Sequence, residues 1–549
     1  MSGHPIQPFS IPQMKDFVPK SVRPWIFVMM VIVVQLSGGV YMSAAGEMVG
    51  STALLQEDIM MAGYASLLGM ALFFPIMFRL RSAVRPKTAL TSCFAVIIAA
   101  NLIAMHTTNI PLLVGVCLVA GFFRMWATLE CNSTIQLWIT PTRNLSVFFC
   151  YVYLLVNSCI QLSGIASIHF ASWASWHYMH WGIIALLLLM WIVVMFCMKG
   201  CAVMPRLPLL GIDWIGMIIW GFWAMCILFI CLYGEHYDWW EGEPIRTATL
   251  FAVISLLMNL LRASFIRHPY VSLKTLSFKV LPIVIGITIV ADILLAPSHI
   301  FEHILMEGIL GYDAENMISL NWVALTGTIF GAGFTWLTFA RRKWTYQRMM
   351  VIAFTCLLFY VGYFYFMIDY NIPYESLVPP IFVRSVGYTM LSIVLLTSLT
   401  RLPFPTHFTQ GVGTLNMFSA ALAGVIGTAI IGRILNVVTA RNFMLLSSEI
   451  DATSYNPDTM PLGELYGAVQ VQSLLEAMKE IYGWLIVVAI ACLIILSLRK
   501  SDIQPTKVIQ PTFRRISLLM RRELLLRLRQ RRRHRAAMAH ESDSAQWHT

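Results

Sequence analysis

Four ionisable residues stand inside long apolar runs, where a side chain can hold a proton, an ion or a charged ligand away from water. Asp292 lies in IGITIVADILLAP, Arg384 in PPIFVRSVGYTM, and Arg124 and Glu130 share GFFRMWATLECNST. An ionisable group in a hydrocarbon core costs at least about 2.5–3.5 kcal/mol, so its presence points to a coupling or ligand-binding role. A carboxylate and a guanidinium at one depth form a switchable pair. Protonating the acid frees the cation and changes which state of the protein is favoured. The same pair could equally hold two helices together permanently.

These residues need elements that cross a membrane, and the composition supplies them. Of 549 residues, 58% are hydrophobic and 12% charged, and the mean hydropathy is +0.72. Soluble domains carry about 25% charged residues, so a soluble fold is excluded. With about 20 apolar residues per crossing, spans fall near 25–46, 59–79, 88–107, 111–135, 145–169, 178–199, 210–233, 245–265, 279–301, 317–340, 348–368, 377–399, 410–435 and 477–498. The fold class expected is an all-α membrane protein of about fourteen transmembrane helices. The first apolar run begins at Trp25 and is long enough to remain a span rather than act as a cleavable signal.

An even number of spans puts both termini on one side. There are 38 Lys and Arg. With the termini inside, only Arg246, Arg441 and Lys479 fall in outer loops, and only Arg124, Arg384 and Arg433 fall inside spans. That bias makes both termini cytoplasmic. The net charge of +11 is then the signature of an anionic inner leaflet, and no nucleic acid is needed to explain it. The tail from Phe513, FRRISLLMRRELLLRLRQRRRHR, places apolar residues at helical spacing among arginines and reads as a helix on lipid headgroups; an RNA- or partner-binding arm is the other reading. Eleven Cys are scattered singly, without metal or disulfide spacing. The 32 Met suit ordinary packing or an adaptable pocket.

Depth follows from the spans. Asp292 lies about 13 residues from the inner end of span 9, roughly 20 Å. Arg384 lies about 7 residues from the outer end of span 12, roughly 10 Å down. In a core of about 30 Å the two are expected to face one another. Arg124 and Glu130 are six residues apart, about 600° of helical rotation, so they point to different faces. Glu130 reads as a coupling group or an inner-gate ion pair, and Arg124 as the counterpart of Arg384. Gln35, Asn157, Gln161, Asn321 and Asn416 are polar positions in apolar helices, for a cavity or for interhelical hydrogen bonds. Tyr41, Trp126 and Tyr388 are candidate aromatic walls, whereas Trp173, Trp176, Trp239 and Trp240 suit the interfacial belt. His299 and His303 sit i, i+4 near Glu302 and Glu307, which reads as an interfacial helix end rather than a metal site. No nucleotide-binding, metallohydrolase or triad pattern occurs, so no enzyme activity, cofactor or metal is expected.

Five regions result: an N-terminus (1–24), a six-helix bundle (25–200), two extra helices (201–275), a second six-helix bundle with a long outer loop at 436–476 (276–498), and the basic tail (499–549). Within the outer loop, VQVQSLLEAMKEIYG reads as a helix leading into the last span. The loop is a connector or a docking surface.

Particular stretches carry a resemblance. GIDWIGM opens span 7, LYGEHYDWWEGEPI closes it, RHPYVSLKTLSFKVLP leads into span 9, SWHYMHW precedes span 6, and GTLNMFSAALAGVIGTAIIGRIL forms span 13. Together they resemble the fourteen-helix drug:proton antiporters of the major facilitator superfamily, the EmrB/QacA type. Two signatures depart from the family. In PIMFRLRSAVRPK, Phe78, Ser82 and Arg85 replace a glycine, an aspartate and a glycine. In SGIASI, Gly164 stands at the proline and Ser167-Ile168 at the paired glycines. Span 1 offers Gln35 and Ser37 where an aspartate is usual. The resemblance implies two pseudo-symmetric bundles around a cavity that opens to alternate sides, with spans 7 and 8 peripheral. It implies proton-driven export of amphipathic organic compounds from a bacterial inner membrane. Some family members hand their cargo to a periplasmic adaptor and an outer-membrane channel. Uptake or exchange of a small organic anion, bound by Arg124 and Arg384, is the alternative. A non-transporting membrane receptor or scaffold is a third.

Overall fold

The computed structural model describes residues 14–38, 48–50, 54–140, 144–173, 176–200, 209–266, 268–312, 314–403, 406–450 and 461–498. Tyr41, residues 451–460 of the outer loop and the basic tail lie outside these. The described residues are helical, apart from one isolated bridge between Met14 and Met198.

Among the described residues thirteen helices are long and apolar enough to span a membrane, and a shorter apolar helix precedes them. In chain order they are α1 (Arg23–Leu36), α2 (Gln56–Ala83), α3 (Pro86–His106), α4 (Ile110–Ile139), α5 (Leu145–Ser167), α6 (His177–Cys197), α7 (Trp214–Tyr233), α8 (Glu243–Phe265), α9 (Val280–Ile309), α10 (Ile318–Arg341), α11 (Tyr346–Met367), α12 (Tyr374–Arg401), α13 (Thr406–Glu449) and α14 (Leu462–Leu498). Each coincides with one expected span. α9 differs in extent: it continues past residue 301 through Pro297–His303 into a π-helical turn at Ile304–Ile309.

The packing repeats with a shift of eight helices. α1 packs on α4 and α5, α2 on α4, and α3 on α4 and α6; α9 packs on α12 and α13, α10 on α12, and α11 on α12 and α14. Between the halves, α5 meets α10 and α13 meets α2, which are the same contact under the pseudo-twofold. The chain therefore forms two pseudo-symmetric six-helix bundles plus two extra helices. α7 and α8 pair with each other, and α7 lies along the α2–α13 seam. Close contacts cross both seams at the ends that carry the basic loops. Phe148, Phe149 and Cys150 of α5 join the buried cluster of the second bundle. Gly413 of α13 seats on α2 so closely that a Cβ there would lie 2.7 Å from Pro75. Small residues permit such close approach where apolar side chains gain little from leaving lipid.

The Asp213–Pro269 stretch turns out to be a staple. Asp213 caps α7 by accepting from the Gly216 N–H at 2.9 Å, and also accepts from Arg262 Nη2 at 2.8 Å and the Tyr270 N–H at 3.2 Å. The Tyr270 hydroxyl donates to the Leu72 carbonyl of α2 at 2.7 Å. Burial alone would raise the Asp213 carboxyl, but the Arg262 hydrogen bond, the two backbone N–H donors and the Arg262 charge outweigh it and hold it below its ordinary value. At the opposite end of the molecule, α13 and α14 extend beyond a bilayer's thickness. The 37 residues of α14 span about 55 Å at 1.5 Å per residue. Arg441 and Glu480 join the two helices at 2.6 Å.

Candidate functional site

Arg384 does not pair with Asp292. Its guanidinium binds Glu302 of α9, whose Oε1 also accepts from the Tyr360 hydroxyl of α11 at 2.8 Å. The Arg384 guanidinium lies 5.4 Å from the Tyr360 ring centroid. Phe301, Phe364 and Tyr482 pack around this group. The correction follows from the length of α9. The depth argument ended span 9 at residue 301 and left Glu302 in an outer loop. The helix continues, so Glu302 comes level with Arg384, while Asp292 lies ten residues deeper, about 15 Å along the axis. The continuation of apolar residues through IFEHILMEGIL was the available signal.

Asp292 is buried in α9, and its Oδ2 has no hydrogen-bond partner among the described residues. Tyr64 of α2 and Tyr388 of α12 lie within electrostatic reach of its carboxylate. One phenol belongs to each bundle, so Asp292 stands at the seam between them. Gly427 of α13 backs onto it, and a Cβ there would lie 3.0 Å from the Asp292 carbonyl oxygen. At the residue after Tyr388, Asn157 Nδ2 of α5 donates to Thr389 Oγ1 of α12 at 3.4 Å, a direct hydrogen bond between the halves.

In the first bundle, the Arg124 guanidinium packs between Gly38 and Met70. A Cβ at Gly38 would lie 0.9 Å from Arg124 Nη1, so any side chain there would move the guanidinium from this place. Arg124 Nε lies 3.1 Å from the Met70 sulfur. Among the described residues no carboxylate comes within 4.0 Å of Arg124. Gln35 Nε2 donates to Thr128 Oγ1 at 3.0 Å, and Thr128 donates to the Arg124 carbonyl at 2.9 Å, fixing α1 to α4 here. Glu130 points elsewhere, as the rotation argument requires: it accepts from Arg81 at 2.9 Å, and Arg81 Nη2 donates to Ser133 at 2.6 Å. Arg81, near the end of α2, thus finds its carboxylate on α4.

Trp126 stacks on Phe73 and Phe123, each at 5.9 Å, in a buried cluster that also includes Met417, Ala421 and Leu422 of α13. Tyr388 is 36% exposed. Gln161, Asn321 and Asn416 are half-buried and make no hydrogen bond to a described residue. Asn416 immediately precedes a π-helical turn at Met417–Leu422, an irregularity often found at functional sites. His303 contacts Glu307 at 2.9 Å.

No protein-family model and no curated protein matches the sequence. Solved structures match the fold. A structure from the proton dependent oligopeptide transporters superposes with a TM-score of 0.55 at 12% identity, covering 87% of this chain and 98% of that one. A peptide transporter in complex with alafosfalin gives 0.54 at 14%, covering 90% and 98%. The human organic anion transporter MFSD10 gives 0.50 at 9%, covering 87% and 100%. At these identities the likeness is one of fold alone.

Proposed function

We propose that this chain is a secondary active transporter that exports amphipathic organic compounds in exchange for protons, working by alternating access in the manner of the fourteen-helix antiporters. Asp292 carries the reading: a buried carboxylate with an unpartnered oxygen among the described residues, with one tyrosine from each bundle within electrostatic reach. Gaining a proton or a cationic compound there alters its attraction for groups on both halves, which is what biases a two-state equilibrium. Arg124, Gln35 and Tyr388 contribute to the cargo site, and Arg81–Glu130 acts as an inner gate. A bacterial inner-membrane setting belongs to the same reading, with the α13–α14 hairpin as the surface for a periplasmic adaptor. The test is flux of a fluorescent cationic dye in proteoliposomes under an imposed pH gradient. Asp292→Asn should lose gradient-driven flux at least tenfold at equal protein content; wild-type flux in that variant would remove Asp292 from coupling.

A second reading is uptake or exchange of a small organic anion. Arg124 favours it, because a buried guanidinium without a carboxylate among the described residues is suited to an anionic ligand. An organic-anion panel in the same vesicles separates the two: anion flux without dye flux, lost in Arg124→Ala, establishes the second. If no compound in either panel moves, a receptor or scaffold role takes precedence.

A further inference from the structure

The α7–α8 pair clasps both ends of the α2–α13 seam. At the inner end, Tyr270 holds the α2 backbone, as described, while Gln410 of α13 donates to the Pro269 carbonyl at 3.1 Å and accepts from the Ser272 N–H at 3.2 Å. At the outer end, the Tyr233 hydroxyl donates to Asp58, which also caps the start of α2 by accepting from the Leu55 N–H at 3.0 Å. Two residues on, Glu235 reaches the other half: it accepts from Asn436 Nδ2 at 2.8 Å and Arg433 Nη1 at 3.3 Å, both on α13. Its second oxygen accepts from Trp239 Nε1 at 2.7 Å, which fixes the rotamer. Asp238 and Trp239 take left-handed backbone conformations in this turn, with φ of 51° and 55°, a conformation uncommon for such residues and worth holding only where it positions something.

The two clasps differ in solvation. Toward the first bundle both are buried, Tyr270 on Leu72 and Tyr233 on Asp58, and toward the second the inner Gln410 bonds are half-buried. The side chains of Glu235 and Arg433 are 46% and 54% exposed, so water can replace their contacts when they part. Burial raises the Glu235 carboxyl, but Trp239, Asn436 and Arg433 together hold it below its ordinary value.

We propose that Glu235 is an outer gate latch: carried by α7 on the first bundle, it grips Arg433 and Asn436 on the second and must release for the outer side to open. This rests on the alternating-access reading but not on any particular cargo. The inference does not depend on Asp292 or Arg124.

The test is hydrogen exchange on the full chain in nanodiscs, read at the outer ends of α5 and α10. These lie on the other seam, away from the latch. An exposed pair of this type shifts a two-state equilibrium by up to about fivefold. Glu235→Ala and Arg433→Ala should each speed exchange there by about two- to fivefold, and the swap Glu235→Arg with Arg433→Glu should return it toward wild type. Faster exchange confined to residues 233–242 and 433–442, or none, would show a local staple and overturn the latch. Flux assays separate the two proposals. A remote exchange response with no compound moved keeps the latch and removes the transport reading; transport with no remote response does the reverse.

Discussion

At the scale of single residues, the second bundle contains a satisfied ion pair and the first a guanidinium in a glycine notch. Glu302 has two donors, Arg384 and Tyr360. Removing one partner of a buried pair strands the other charge and costs about 3–5 kcal/mol, whereas replacing both with apolar groups can be neutral. Glu302→Ala should therefore lower the thermal unfolding midpoint of the purified protein by several degrees, and Glu302→Leu with Arg384→Met should recover most of the loss. A Glu302→Ala protein melting with wild type would show that the pair holds nothing together. Arg124 gives the contrasting case. Gly38→Ala would drive a methyl into the guanidinium, so it should reduce flux as strongly as Arg124→Ala while membrane abundance stays at the wild-type level in both. Normal flux in Gly38→Ala would mean that the guanidinium can function from another position.

At the scale of elements, the spans were legible because about 20 apolar residues in a row have few other uses. All thirteen long helices coincide with expected spans. Helix ends were less legible. Pro297 and the π turn after it carry α9 onward instead of ending it, and that changed the partner of Arg384. Trp126 was ambiguous because an aromatic residue in a membrane helix serves core, cavity or interface equally well by composition. The Asp213–Pro269 motif was visible as a resemblance, but its mechanics needed coordinates: one carboxylate joins a helix start, a helix end and a loop separated by up to 57 residues. That carboxyl is held below its ordinary value. A depressed carboxyl contributes stability that is fully present above the unfolded-state value of about 3.9 and is lost as pH falls through the folded-state value. Asp213→Ala should cost about 0.5–2 kcal/mol from the cap alone. The gap in melting temperature between it and wild type should stay constant from pH 7 to about pH 5 and then narrow as the solution is acidified further. A gap that widens on acidification would contradict the assignment.

At the scale of the whole molecule, alternating access requires the two bundles to rock, and at their inner ends they are closed directly against each other. The seat of Gly413 on α2 makes that closure sensitive to one side chain. A Cβ at Gly413 would lie 2.7 Å from one Pro75 ring carbon, 2.8 Å from another and 3.2 Å from the Phe74 Cβ. Pro75 cannot rotate away, because its ring is part of the backbone, and Phe74 begins the 3-10 turn that includes it. A larger residue at position 413 must therefore hold α13 off α2 rather than push aside a flexible side chain. Gly413→Val should leave each bundle intact, since the clash lies between them, and should favour the state open on the inner side. Backbone exchange should rise at 145–152 and 336–341, the inner ends of the other seam, because a rigid rocking motion opens both seams together. The outer ends of α5 and α10 should be no less protected than in wild type. Compound flux should fall about tenfold or more, since a protein held in one state cannot complete the cycle. If exchange rises only next to residue 413 and flux is normal, the halves do not move as bodies about this seam, and the contacts at the inner end are packing without a part in gating.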